Sequence, residues 1–373
     1  MGHQYQAVQW NKNKIAYDLY IFAALAAFLI VFVLIGLRPH PTGHTADPVV
    51  LMIRALGVAA FTMLTMLLAI GPLARLSPRF NTFLYNRRHL GVLTFFVALA
   101  HAGLSTLWYH GGGPISPLVS LLVSNSEYDA IPGFPFEIFG MVALLVLFLM
   151  AATSHDFWLN NLSAPVWKAL HMLVYPAYGL LVLHITFGAL YTEKAALYPV
   201  LTFGAFALVA GLHLVTGLRE WAADSGMRAA RREGWIEIGR ADAIPEDRAV
   251  IAPLPGGERV AVFRYDGKVS AVTNVCRHQN GPLGEGRIVD GCITCPWHGW
   301  QYRPDDGISP PPFTEKIATY NVRIENGVVF VDPKPNPPGT RTEPARIEPA
   351  RIVASEQPPA TAATGGEPLE HSP

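Results

Sequence analysis

The chain has 373 residues and formal charges that sum to zero; 51% of its residues are hydrophobic, only 15% are charged, and the mean hydropathy is +0.27. An ordinary soluble domain carries about 25% charged residues, and here 19 of the 56 charged residues lie in residues 1–220 and 37 in the last 153, so a single soluble globule is excluded, as is a nucleic-acid binder, which needs a basic face. The three cysteines all fall between Cys276 and Cys295, which excludes a disulfide-built secreted module.

A helix that crosses the hydrocarbon core needs about 20 mostly apolar residues. Six segments qualify, at 16–37, 49–73, 90–109, 136–153, 167–190 and 198–218. The first is too long and too late for a cleaved signal peptide. Lys12 and Lys14, then Arg75, Arg79, Arg87 and Arg88, then Arg219, Arg228, Arg231 and Arg232 alternate with the acidic loop of Glu127, Asp129 and Glu137. By the positive-inside rule both termini are expected in the cytoplasm, with Arg38 as an exception. The expected location is a bacterial inner membrane.

Ionisable residues at membrane depth are functional candidates by default, and neutral imidazole is an axial ligand for heme iron. At about 1.5 Å per residue from the basic edges, His101 lies about 20 Å into the third helix and His184 about 24 Å into the fifth, whereas His171 is only about 5 Å in. His101 and His184 therefore match as a pair. His171 belongs to a different level, with His213, about 9 Å from its own edge, or His89, at the edge, as candidate partners on a second, inner heme. Arg54, in the second helix, is a candidate heme-propionate contact or a side chain that snorkels to the headgroups.

Gly71-Pro72-Leu73, Arg87-Arg88-His89-Leu90-Gly91, Ala100-His101, the run from Lys168 to Tyr175 around His171, and Leu183-His184 resemble the ferric-reductase-like transmembrane family over about residues 15–220. The run around His171 is most similar to the heme-bearing membrane subunit of methionine sulfoxide reductase systems. The resemblance implies b-type heme on these histidines. Two-heme members carry a further histidine earlier on the helix that holds the first; the corresponding positions here are Arg88 and Arg87.

A new texture starts near Trp235. Apolar runs flank Asp266-Gly267 and Asn326-Gly327, each a hairpin signal, so a small, mostly antiparallel β domain is expected. Within it Cys276-Arg277-His278 is followed, after a spacer from Gln279 to Thr294, by Cys295-Pro296-Trp297-His298. Zinc fingers favour Cys-x-x-Cys paired with His-x₃₋₅-His. One Cys and one His from each loop is the ligand set of a Rieske [2Fe–2S] centre, with Cys276 and Cys295 on one iron and His278 and His298 on the other. Residues 233–331 resemble a Rieske domain of the ferredoxin type, because the positions of the extra cysteines in the cytochrome bc type hold other residues. Tyr302 is retained near the second loop, and Cys292 is left over as a small thiol.

No Gly-x-Gly-x-x-Gly or Walker loop is present. The segment after Val331 is rich in proline and lacks aromatic residues, and Glu343-Pro-Ala-Arg-Ile repeats at Glu348; it reads as a disordered tail. The expected organisation is a six-helix heme-binding bundle (1–220), a linker (221–232), a small all-β Rieske domain (233–331) and the tail (332–373). The expected cofactors are a [2Fe–2S] cluster and one or two b-type hemes. Electrons would enter from a cytoplasmic ferredoxin or flavin reductase and leave to a quinone or a periplasmic acceptor. A relay subunit for a separate periplasmic reductase, and a redox sensor with a heme-free anchor, stand as alternatives. Whether the chain is itself an enzyme stays open. Its contacts are expected to be lipid and redox partners, with no nucleic acid.

Overall fold

The computed structural model describes residues 12–347 apart from 39–45, 85–86, 131–132, 155–157, 159–161, 163, 193–195, 229–230, 233, 256–257, 279 and 298. Its first half is helical: α1 (Lys12–Gly36), α2 (Pro48–Leu76), α3 (Asn81–Leu84), α4 (Arg87–His110), α5 (Pro117–Val123), α6 (Glu137–Ala152), α7 (Ala164–Met172), α8 (Val174–Phe187), α9 (Ala189–Thr192) and α10 (Leu197–Arg228). Among the described residues, five helical spans are long and apolar enough to cross a membrane, with α7–α9 counted as one, and α6 is a shorter apolar helix of 16 residues. At about 1.5 Å per residue α6 covers about 24 Å, a little less than the roughly 30 Å hydrocarbon layer.

Local chemistry sets the helix limits. Asp47 caps α2 by accepting from the Val49 N–H at 2.7 Å, and Pro48 sits at the first helical position, where no N–H is needed. The single helix expected over 167–190 is instead broken at Leu173. Pro176 has no N–H to offer Met172, so the ladder stops there and restarts with Val174. Inside the bundle, Thr65 and Tyr178 share a 2.9 Å hydrogen bond, and Phe61 stacks on Tyr178 at 5.4 Å, which ties α2 to α8. Outward, large side chains such as Phe28, Leu34, Phe96, Leu107, Leu145 and Leu214 are exposed, which suits a surface solvated by lipid.

The second half is β-structure in three sheets. One has the order β1 (Arg231–Arg232), β2 (Trp235–Arg240), β11 (Val328–Val331), β10 (Val322–Glu325). The next runs β12 (Ala345–Arg346), β5 (Lys268–Thr273), β4 (Arg259–Tyr265), β3 (Arg248–Pro253), with β9 (Thr319–Tyr320) also on β5. The third is β6 (Arg287–Val289), β7 (Cys292–Thr294), β8 (Gln301–Tyr302). Strand β4 is apolar on both faces, and its period-2 alternation explains why. Val260 and Val262 enter one core with Ile236, Val269 and Val329, while Ala261 and Phe263 enter another with Cys276, Cys295 and Tyr302. Both expected hairpins form, with Tyr265 opposite Lys268 and Glu325 opposite Val328.

Two expected boundaries move. The linker assigned to 221–232 is mostly helix, since α10 continues to Arg228. The stretch assigned to the tail is ordered as far as Ile347, because its backbone finds partners. Asn336 N–H donates to the Thr319 carbonyl at 2.9 Å, Thr340 O accepts from Thr319 Oγ1 at 2.8 Å, β12 pairs with β5, and Ile347 N–H reaches Gly267 O at 2.9 Å. The rest of the assigned tail, 348–373, lies outside the described residues.

The halves meet at the helix ends. Arg75, at the end of α2, pairs with Glu220 of α10 at 3.0 Å and with Glu285 of the β domain at 3.2 Å; Arg259 of β4 approaches Glu220 at 3.6 Å. Arg87, the first residue of α4, lies over the Trp297 ring at 5.4 Å.

The strap over the second sheet should hold the β domain together. A chain ending at Asp332 should unfold at least about 4 °C below one ending at Ile347, since one net hydrogen bond is worth about 1 kcal/mol and that shifts a domain of about 100 residues by about 4–8 °C. Thermal loss of the domain's far-ultraviolet β signal measures it.

Candidate redox centres

In the β domain two loops present the cysteine–histidine motifs, and they are built alike. Cys276 N–H donates to Gly281 O at 2.9 Å, and Cys295 N–H donates to Trp300 O at 2.8 Å, five residues on in each case. The Cys276 carbonyl accepts from Asn280 N–H and the Cys295 carbonyl from Gly299 N–H, four residues on. Asn280 and Gly299 both have positive φ, 57° and 72°, a conformation open to glycine and, less readily, to asparagine. The loops press on each other: a Cβ on Gly281 would stand 2.7 Å from Cys295 Sγ.

Cys276 and Cys295 are buried. The His278 ring stacks on Trp300 with centroids 4.3 Å apart and planes within 10°, and Trp300 is itself held by its Nε1–H to Ser309 Oγ at 3.1 Å. His298 lies outside the described residues. Two buried thiols, an imidazole packed on Trp300 and a glycine that lets one loop press on Cys295 fit a [2Fe–2S] cluster. Tyr302 completes the surroundings. Its hydroxyl accepts from Arg277 N–H at 3.1 Å, which turns its own proton toward Cys276 Sγ, 3.5 Å away. Burial, and then the neighbouring Cys276, push this phenol far above its usual range, so it stays a donor. Cys292 opens β7, the strand that leads into the second loop, and burial raises its thiol above its ordinary value.

In the bundle, His101 of α4 donates Nδ1–H to Ile53 O of α2 at 2.9 Å, and His184 of α8 donates Nδ1–H to Phe136 O, just before α6, at 3.0 Å. Each bond fixes the tautomer with Nε2 bare, the form an iron ligand requires. This donor set fits a heme with two axial imidazoles.

Among the described residues, the other candidate histidines each have partners of their own. His171 bonds its own helix at Trp167 O (3.0 Å), stacks on Trp167 and has Ser154 Oγ at 3.4 Å from Nε2. His213 bonds Val209 O through Nδ1 and the Tyr175 hydroxyl through Nε2, at 2.9 and 3.0 Å. His89 pairs with Asp18 at 2.8 Å. Arg54 is exposed on α2, next to Ile53. The carbonyls of Ile53 and Phe136 were invisible to sequence reasoning, because every residue has one and only packing selects which receives an imidazole.

Helices with paired histidines, followed by a β domain with a cluster cradle, define a membrane electron-transfer protein. Comparison with known proteins agrees. Residues 56–182 match the family described as the ferric reductase like transmembrane component, and residues 234–321 match the Rieske [2Fe-2S] domain. The chain is 31% identical over 187 residues to the protein-methionine-sulfoxide reductase heme-binding subunit MsrQ of Xanthomonas campestris, covering 50% of this chain and 76% of that protein. It is 34% identical over 109 residues to the anthranilate 1,2-dioxygenase ferredoxin subunit of Burkholderia cepacia, covering 28% of this chain and 98% of that one. It is 40% identical over 85 residues to cholesterol 7-desaturase of Xenopus laevis, covering 20% of this chain but only 18% of that enzyme. The chain therefore belongs to the ferric-reductase-like transmembrane family and carries a Rieske domain of the kind found in ferredoxins; its cofactors are a [2Fe–2S] cluster and heme.

Tyr302→Phe should lower the potential of the cluster, because a hydrogen bond to a cluster sulfur stabilises the reduced, more negative state. A bond worth about 1 kcal/mol corresponds to a shift of about 40 mV for one electron. Redox titration followed by the cluster's electron paramagnetic resonance signal measures it.

Proposed function

We propose that this protein carries electrons between the Rieske cluster and a single b-type heme held by His101 and His184, from a cytoplasmic donor toward a quinone or a periplasmic acceptor. The observation that carries the reading is the contact of Arg87 with Trp297. Trp297 stands between the cluster residues Cys295 and His298, and Arg87 opens α4, the helix that carries His101. The two centres are thus joined within one chain by packed protein. Cys276, His278, Cys295 and His298 are assigned to the cluster, which supplies one-electron chemistry when bound.

The cytoplasmic placement of the β domain rests on the basic loops. It lies at the bundle end that bears Arg75, Arg79, Arg87 and Arg88, and such clusters mark the cytoplasmic side. A ferredoxin or flavin reductase is the class of donor that would reach it there. His171, His213 and His89 are assigned to packing, since Trp167 and Ser154, Tyr175, and Asp18 hold them. One heme per chain is the consequence, against the second, inner heme that the histidine count invites. Arg54, beside the carbonyl that holds His101, remains the candidate propionate contact.

A second reading is favoured by the likeness to a heme-binding subunit of a protein-methionine-sulfoxide reductase. Here the chain relays electrons to a separate periplasmic enzyme and has no substrate site of its own. Turnover of a quinone or ferric chelate by the purified protein separates the two.

Pyridine hemochrome assay should give one heme per chain. His101→Ala or His184→Ala should abolish it, and His171→Ala should leave it. After rapid anaerobic reduction the heme band should follow the cluster signal. Glu285→Arg should slow that step by several-fold, and adding Arg75→Glu should recover part of the loss, since each ion pair is worth up to about 1 kcal/mol and is screened by salt. A heme that reduces at the same rate in both variants contradicts transfer through this interface.

A further inference from the structure

The two heme-facing histidines are held by the same device, used twice. On α2, a Cβ added to Gly57 would lie 3.0 Å from His101 Cε1 and 3.1 Å from its Nδ1. On α6, a Cβ added to Gly140 would lie 2.8 Å from His184 Nδ1 and 2.9 Å from its Cε1. The carbonyls that accept the two Nδ1 protons belong to Ile53 and Phe136, each four residues before its glycine, one helical turn away on the same face.

The spacing in the chain is identical as well. The carbonyl precedes its histidine by 48 residues in both cases, and the glycine-to-histidine spacing is likewise the same in both. A single offset along the chain carries Ile53 onto Phe136, Gly57 onto Gly140 and His101 onto His184. The packing repeats too, since α2 lies against α4 and α6 against α8. Internal repeats of this kind place a shared site at the interface between their copies.

We propose that Gly57 and Gly140 are equivalent positioning residues, and that the histidine pair is a site built from two copies of one helix–helix module. In each copy the first helix, or in the second copy the residue that caps it, supplies a carbonyl to fix the proton of the imidazole and, one turn later, a bare backbone on which the ring lies. A methyl group at either glycine pushes its ring off the carbonyl. The same offset carries Arg88 onto His171. The copies therefore match a histidine with a histidine at the His101–His184 level and a histidine with an arginine at the other.

The proposal rests on the reading of His101 and His184 as axial ligands, so the test reports on both. Gly57→Ala and Gly140→Ala are compared with wild type in the full-length, detergent-purified protein. Gly103→Ala is the control, because a Cβ there meets nothing within 4 Å. The low-spin ferric heme signal in electron paramagnetic resonance is the main readout. The cluster signal and monodisperse elution report folding. Gly57→Ala and Gly140→Ala should each shift the low-spin g values or convert heme to high spin, to a similar extent, while Gly103→Ala keeps the wild-type spectrum. Should one glycine variant not accumulate, the other carries the same test. A wild-type heme spectrum in a folded Gly57→Ala or Gly140→Ala protein overturns the positioning role and leaves the ligand reading standing. A wild-type protein without a low-spin heme overturns the ligand reading, and this proposal with it.

Discussion

A neutral imidazole has one nitrogen that carries a proton and one that does not, and inside a bilayer the proton has no water to receive it. That constraint governs the membrane half of this protein. An unpaired polar group in hydrocarbon costs several kcal/mol, so His101 and His184 must each find an acceptor, and the one that every helix carries is a backbone carbonyl. Ile53 and Phe136 provide it at 2.9 and 3.0 Å. Once Nδ1 is committed, Nε2 is the nitrogen left without the proton. The packing of α4 on α2 and of α8 on α6 thus sets the tautomer of these two rings as well as their place.

The cluster loops answer a related constraint by other means. Thiolates and imidazoles must meet on a small inorganic core, and the backbone has to approach closely without a helix to carry it. Two short loops here share the same pattern of Cys N–H and Cys carbonyl bonds, and Asn280 and Gly299 turn them with positive φ. Both faces of β4 are packed under this apparatus, so the loops stand on a rigid base. Tyr302 adds a donor whose proton is aimed at a sulfur because its oxygen already accepts from Arg277. In both candidate centres a hydrogen bond with the backbone orients a polar side chain, His101 and His184 in one and Tyr302 in the other.

The join between the two halves has a different character. Arg75, Glu220, Glu285 and Arg259 form a small lattice of partly exposed charges, where single pairs are weak and salt-screened. Burial pushes the Glu285 carboxyl above its usual range, and Arg75 opposes that shift. Beside these pairs, Arg87 lies over the Trp297 ring at 5.4 Å.

Much of this was legible in the sequence because it depends on local pattern. Long apolar runs give helices in lipid, Asp266-Gly267 and Asn326-Gly327 give hairpins, and the two cysteine–histidine motifs point to the Rieske domain that the family comparison also finds. The break at Leu173 was also written locally, in Pro176, although the apolar run around it reads as one helix. The ordered strap to Ile347 was hidden, since a proline-rich strand looks like a tail until a sheet edge accepts it. The histidines mark the other limit. Depth along the helices paired His101 with His184, and the same arithmetic left His171, His213 and His89 as candidates; their neighbours Ser154, Tyr175 and Asp18 come from the fold alone. Sequence by itself determined which groups were available and how deep they lie, because both follow from composition and rise per residue. Tertiary structure decided which nitrogen of each ring carries the proton and which carbonyl and glycine each ring lies against, because those depend on the single helix face that packing brings into reach.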